Sequence, residues 1–294
     1  QAAVYGSIGA NGVILVTTKQ GKKNSKTKVS FNSYTGTQET TKKLSMLNAT
    51  EYALLLNESF GNSGQAVPYP NATGLGEGTN WQNEVFQKAP IRNIDFNISG
   101  GSEKITYSFS GSNLKQEGIV GLEKAAFDRS TARLSLGVDL SDKFKFSTNV
   151  IYTDFNRTSL AENGVGSVLF NTINSPSVFT PYDANGNFTQ VPSTPGYGIE
   201  VINPLAQMEN TYNSYNLKKL NGSVKLDYLA TKGLKLTSRI GFNSSKSAGK
   251  AFYKIIDYGP SKVFNVTRSV VAQSTENGGN YTLDFIAEYE TKLA

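Results

Sequence analysis

The sequence contains no histidine and no cysteine. Together these absences exclude disulfides, thiolate nucleophiles, Ser–His and Cys–His pairs and the usual zinc sites. Carboxylates, Lys, Tyr, Ser and Thr are left for chemistry, and they form no paired acid–base constellation. Carboxylates such as Asp139 and Asp227 fall on polar strand faces. No catalytic residue, metal site or cofactor is therefore expected, and the chain does not read as an enzyme. Long hydrophobic runs are also missing. No aliphatic run is longer than Val13–Val16 or Ala53–Leu56, which rules out a transmembrane helix and a signal-peptide core. A transmembrane β-strand shows lipid only every second residue, so this absence does not bear on a β-barrel.

What is present favours strands and turns. There are 28 Gly, 15 Tyr and 16 Phe against 9 Pro and one Trp. The net charge of +6 is spread along the chain, apart from Lys19, Lys22, Lys23, Lys26 and Lys28. That run reads as a solvated linker rather than a nucleic-acid patch. From residue 29 on, polar and apolar residues alternate. Ile94, Phe96 and Ile98 alternate with Asp95, Asn97 and Ser99, and Leu134, Leu136 and Val138 alternate with Arg133, Ser135 and Gly137. Val224, Leu226 and Tyr228 alternate with Ser223, Lys225 and Asp227. A period of two with one apolar face predicts about eight strands.

The connections predict a layout. Short links fall at 100–103, 141–142 and 229–233, and long ones at about 37–91, 114–128, 155–213 and 245–280. Short and long links in strict alternation describe an up-and-down antiparallel sheet with turns at one end and loops at the other. This is the arrangement of an outer-membrane barrel, with charged side chains on the wet face. The first loop carries a capping-box signal at Asn48–Glu51 and a helical turn at Asn80–Phe86.

The opening Gly6, Gly9 and Gly12 have the wrong spacing for a dinucleotide fingerprint and lead into Val13–Thr18, a strand rather than a helix. They read as a turn. Asp183-Ala-Asn-Gly-Asn187 has an incomplete calcium-loop pattern, with Thr194 where a bidentate Glu belongs, and reads as an Asn-Gly turn.

Residues 5–21 resemble the end of the plug domain in TonB-dependent outer-membrane transporters of the SusC/RagA type. The match runs through Tyr5, Gly6, Ser7, Gly9, Ala10, Asn11, Gly12, Val13, Ile14, Thr17, Thr18 and Lys19. Leu47–Tyr52, Asn80–Gln82, Ile98–Ser102 and Tyr182–Asn187 resemble further landmarks of that family. The resemblance implies an all-β fold: about eight strands of a larger transmembrane barrel, preceded by the last plug strand. The expected division is 1–20 as plug end, 21–28 as linker and 29–294 as the first part of the barrel, making the chain an internal fragment. It further implies residence in the outer membrane of a Gram-negative bacterium, in contact with lipid, and partnership with TonB and a SusD-like surface lipoprotein. The implied function is import of glycans or other large nutrients, with an oligopeptide or metal chelate as the alternative ligand. On that reading Tyr69, Trp81, Phe179, Tyr182 and Tyr197, aromatics of the long loops, are the candidates to stack on a ligand. The rival reading is a soluble, secreted all-β binding or adhesion protein.

Overall fold

The computed structural model describes residues 12, 20–161, 164–192 and 200–291. Among them, eight strands form one antiparallel sheet in which every strand pairs with its sequence neighbour. The strands are β1 (Ser25–Gln38), β2 (Ala89–Gly101), β3 (Ile105–Gly118), β4 (Leu122–Asp139), β5 (Phe144–Arg157), β6 (Thr211–Thr231), β7 (Leu234–Tyr253) and β8 (Val270–Tyr289). The up-and-down order is the one expected from the alternating links.

Register places the apolar residues of the strands' middle stretches on one side. Phe31 faces Phe96, Ile98 faces Phe109, and Phe109 faces Leu134. Leu134 then faces Val150, Val224 faces Ile240, and Ile240 faces Leu283. The result is an apolar band running across every strand. On β6 it extends from Leu220 to Tyr228, roughly 26 Å along the strand at about 3.3 Å per residue. Tilted by about 40°, that length gives roughly 20 Å of height, most of the roughly 25 Å apolar band of an outer-membrane barrel wall. At its lower edge the Phe144 and Tyr228 rings stack with centroids 4.6 Å apart, in the place of an aromatic girdle.

The burial of this sheet is inside out. Apart from Ala89 at the cap end of β2 and Gly100, the strand residues that are buried are polar: Ser108, Ser135, Asp227, Thr237 and Ser247, all on the face opposite the band. The exposed ones include Phe96, Phe109, Leu134, Leu226, Ile240 and Leu283. A soluble sheet does the reverse, because burying apolar area is what stabilises it. Here the sheet curls with its serines and charged residues on the concave side and its leucines outward.

Four expected segments change. The loop placed at 114–128 shrinks to 119–121, because β3 runs to Gly118 and β4 starts at Leu122. Pairing continues above the apolar band, where Asn113 and Lys115 point outward and Leu114 inward, so hydrophobic periodicity no longer marks the strand. Short and long links therefore do not alternate strictly. The linker placed at 21–28 is shorter as well, since β1 begins at Ser25 and Lys28 already pairs with Ser99. The last two long loops contract to 158–210 and 254–269 as β6 and β7 extend to 21 and 20 residues. The turn-and-strand reading of residues 1–18 lies outside the described residues except at Gly12, whose φ of +95° fits a turn.

Candidate ligand site at the mouth of the sheet

The large buried apolar side chains are found in the three long loops, all at one end of the sheet. The first loop holds α1 (Ala49–Asn62), a 3-10 turn (Ala72–Leu75) and α2 (Trp81–Val85). The capping box forms as read: Asn48 accepts from the Glu51 N–H, and the Glu51 carboxylate accepts from the Asn48 N–H. The loop at 158–210 holds α3 (Val168–Asn174) and α4 (Pro204–Glu209), and the loop at 254–269 closes on itself through Ile256 and Val266. Val85, Leu160, Val168 and Met208 form one cluster, and Trp81, Val191 and Val201 a second. Ile202, Ala206 and Tyr258 form a third, so the loops share a common core and act as one cap.

Polar contacts lock the cap. The Trp81 indole N–H donates to the Pro176 carbonyl at 3.0 Å and the Thr79 N–H to the Ser177 carbonyl at 2.8 Å. Gly78 makes this approach possible. Its φ is +67°, and a Cβ there would sit 2.3 Å from the Ser177 oxygen. The buried Gln82 amide pairs with both backbone groups of Leu44, substituting for a strand neighbour. The Lys262 ammonium donates to the Val201 carbonyl at 2.7 Å, and burial lowers its pKa.

Burial pushes the Tyr258 phenol up to about 12. The folded value lies above the ordinary value near 10, so this contribution is complete below about pH 10 and is lost as pH rises towards 12. Lys262 works in the opposite direction, because its lowered pKa adds stability as it deprotonates. Tyr258→Phe separates the two. Hydrogen exchange over 254–269 is expected to accelerate between about pH 10 and 12 in the parent, once corrected for intrinsic rates, and not in the variant. Equal acceleration in both would place the alkaline sensitivity elsewhere.

The aromatics expected to stack on a ligand have separate fates. Trp81 is 3 % exposed and packs against Val191, Val201 and Phe179, so most of its ring belongs to the cap core, with an edge on the cleft described below. Its flanking helical turn and apolar neighbours drew the side chain inward. Phe179 is half-buried against the same cluster. Tyr69 is half-buried edge-on to Tyr52 at 6.5 Å, its backbone held by Asn57, and burial raises its phenol pKa. Tyr182 is 49 % exposed with Phe188 beside it at 5.2 Å. Tyr197 lies outside the described residues. A cleft of about 400 Å³ opens between the first loop and the loop at 158–210, lined by Tyr52, Glu77, Asn80, Asn174 and Ser175. Asp183 accepts from the N–H groups of Asn185 and Asn187, which hold its carboxyl below the usual range. It closes a turn, and no cluster of metal-ligating residues occurs among the described residues.

Beneath the cap, sequence reading missed a second group. Phe127, Arg157 and Tyr215 share one cross-strand row on the concave face, with Arg129 and Phe155 in the next row down. Ring centroids run Phe127–Phe155 at 5.2 Å and Phe155–Tyr215 at 5.9 Å. Arg129 lies over Phe127 at 5.9 Å and Arg157 over Tyr215 at 5.7 Å. Counting alternation upward past the apolar band would have placed them on one face.

Comparison with known proteins adds lineage to this geometry. The chain is 35 % identical over 233 residues to TonB-dependent receptor P26 of Formosa agariphila, covering 77 % of the chain and 22 % of that protein. It is 29 % identical over 242 residues to TonB-dependent receptor SusC of Bacteroides thetaiotaomicron, covering 77 % and 23 %. This chain belongs to the TonB-dependent receptors of the SusC/RagA type. It spans less than a quarter of the length of the curated relatives it matches. No protein-family model matches it. Its fold superposes on the RagAB peptide importer in the closed-closed state with a TM-score of 0.80 at 21 % identity, covering 99 % of this chain and 35 % of that one. The open-open state gives 0.78 at 20 %, covering 98 % and 35 %. Within a TonB-dependent receptor, an inside-out sheet is a segment of barrel wall and the loop cap is one rim of it. Among the described residues no helix is long and apolar enough to cross a membrane; strands do the crossing in this family's fold.

Proposed function

We propose that this chain supplies the first part of the barrel wall, and part of the outer rim, of a TonB-dependent importer in the outer membrane of a Gram-negative bacterium. Residues 1–20 end its plug, the next few form the hand-over to the wall, and the cap faces the outside. The cargo is a glycan or another large polar nutrient, delivered with a SusD-like surface lipoprotein and driven through TonB. The chain binds and passes cargo without chemistry on it. The observation that carries this reading is the sheet with buried serines and exposed leucines, which only lipid on the convex face and water on the concave face make stable. The test uses the full-length gene product. It is expected in the outer-membrane fraction, soluble only in detergent, with uptake of its glycan abolished by loss of TonB. Recovery as a soluble monomer without detergent overturns the proposal.

A further inference from the structure

We infer that Phe127, Arg129, Phe155, Arg157 and Tyr215 form a binding subsite for an acidic saccharide, one bearing carboxylate or sulfate groups, at the mouth of the lumen. The inference rests on the importer reading above and names the cargo class. Three rings on β4, β5 and β6 form a continuous zigzag over two adjacent rows, with centroids 5.2 and 5.9 Å apart. Two guanidiniums are set among them, each over a ring. Arg129 and Arg157 are both exposed and make no ion pair among the described residues.

This differs from the lower concave face of β6 to β8. There the cations are matched: Lys225 pairs with Asp227 at 2.9 Å, Arg239 with Asp284 at 2.7 Å, and Lys235 with Glu288. At the mouth, Arg129 and Arg157 are joined by Lys219 on the same face, and the facing residues Phe127, Thr153, Phe155 and Tyr215 provide no carboxylate. Unmatched cations beside ring faces offer two kinds of contact at once. Flat aromatic surfaces take the apolar faces of sugar rings, and guanidinium forks take planar anions bidentately. Position suits capture. Ala125, the next residue up on the same face from Phe127, packs under the cap core, so the patch lies between the rim and the wall below.

An acidic peptide would also meet the arginines. Peptides gain affinity on sheets by adding a strand to a free edge. The patch sits on β4 to β6, where every edge is paired, so it presents side chains alone. That favours a ligand recognised by ring faces and anionic substituents.

The experiment is calorimetric titration of the purified full-length product in detergent. The probes are tetrasaccharides of galacturonate, mannuronate and chondroitin sulfate, with maltotetraose and tetraglutamate as comparisons. At least one acidic tetrasaccharide is expected to bind on the order of tenfold or more tighter than maltotetraose, and to weaken as salt rises. Arg129→Gln with Arg157→Gln is expected to remove that preference. Arg129→Lys with Arg157→Lys, which keeps the charge, is expected to restore part of it and serves if the first variant misfolds. Three results overturn the inference: no acidic tetrasaccharide preferred over maltotetraose, a preference unmoved by the arginine changes, or tetraglutamate bound more tightly than every saccharide. A detergent-extracted, heat-modifiable barrel that ignores acidic sugars sinks this subsite and leaves the importer reading standing. A product soluble without detergent sinks both.

Discussion

Val224→Arg is expected to stop the full-length product from assembling in the membrane, whereas Ser223→Arg, one residue away, is expected to assemble normally. Val224 lies midway between Leu220 and Tyr228 in the apolar band, opposite Thr148 on β5 and Ile240 on β7. An arginine there is held at the centre of the lipid layer, at a cost of roughly 2–4 kcal/mol. Ser223 points the other way, beside Asn149 and Gly241 on the concave face. An arginine at 223 meets water and a neutral asparagine. The readout is the fraction of heat-modifiable, protease-resistant protein after folding into lipid vesicles. A soluble sheet would give a different pattern: an arginine on its solvated face changes stability by no more than about 0.5 kcal/mol. Equal yields for the two variants would mean that the convex face does not contact lipid.

Trp81→Ala is expected to unfold the cap and leave the sheet intact. The indole is almost wholly buried among Val191, Val201 and Phe179, and its N–H bonds the Pro176 carbonyl. Truncating a buried tryptophan costs about 3–5 kcal/mol, and here the Pro176 carbonyl loses its indole donor too. The loop contacts around it are few, so the loss is concentrated in 39–88 and 158–210 rather than shared with the strands. Hydrogen exchange should rise over α2 and over 176–192 while β5, β6 and β7 stay protected. Trp81→Phe should fall between the two. Had the ring been a stacking platform, the alanine variant would lose ligand affinity with no change in exchange, and that outcome would contradict its place in the core.

The strands from Val29 to Tyr289 were legible because lipid imposes a strict period of two on the residues that meet it. Where the convex face leaves the band, the constraint ends. Asn113, Lys115, Asp154 and Lys218 sit there outward, so strand ends and the tight 119–121 turn could not be read. The capping box was legible because it is local, four residues acting on each other. The cap core was not, since Trp81 meets Pro176, 95 residues away, through a contact no periodicity announces. The mouth patch failed for the same reason. Phe127, Phe155 and Tyr215 belong to three strands and become neighbours only once register is known.

The central claim is that the convex face meets lipid and the concave face meets water. This chain has no cysteine, so single cysteines can be placed along it without background from its own residues. Spin labels at each position from 219 to 228 on β6, in the full-length product reconstituted in bilayers, test the claim directly. Collision with dissolved oxygen should peak at 220, 222, 224, 226 and 228, and collision with a water-soluble nickel chelate at 219, 221, 223, 225 and 227. A period of two, with the two reagents out of phase and oxygen access greatest near 224, is the predicted result. Nickel access as high at 222, 224 and 226 as at 223 and 225 would contradict it.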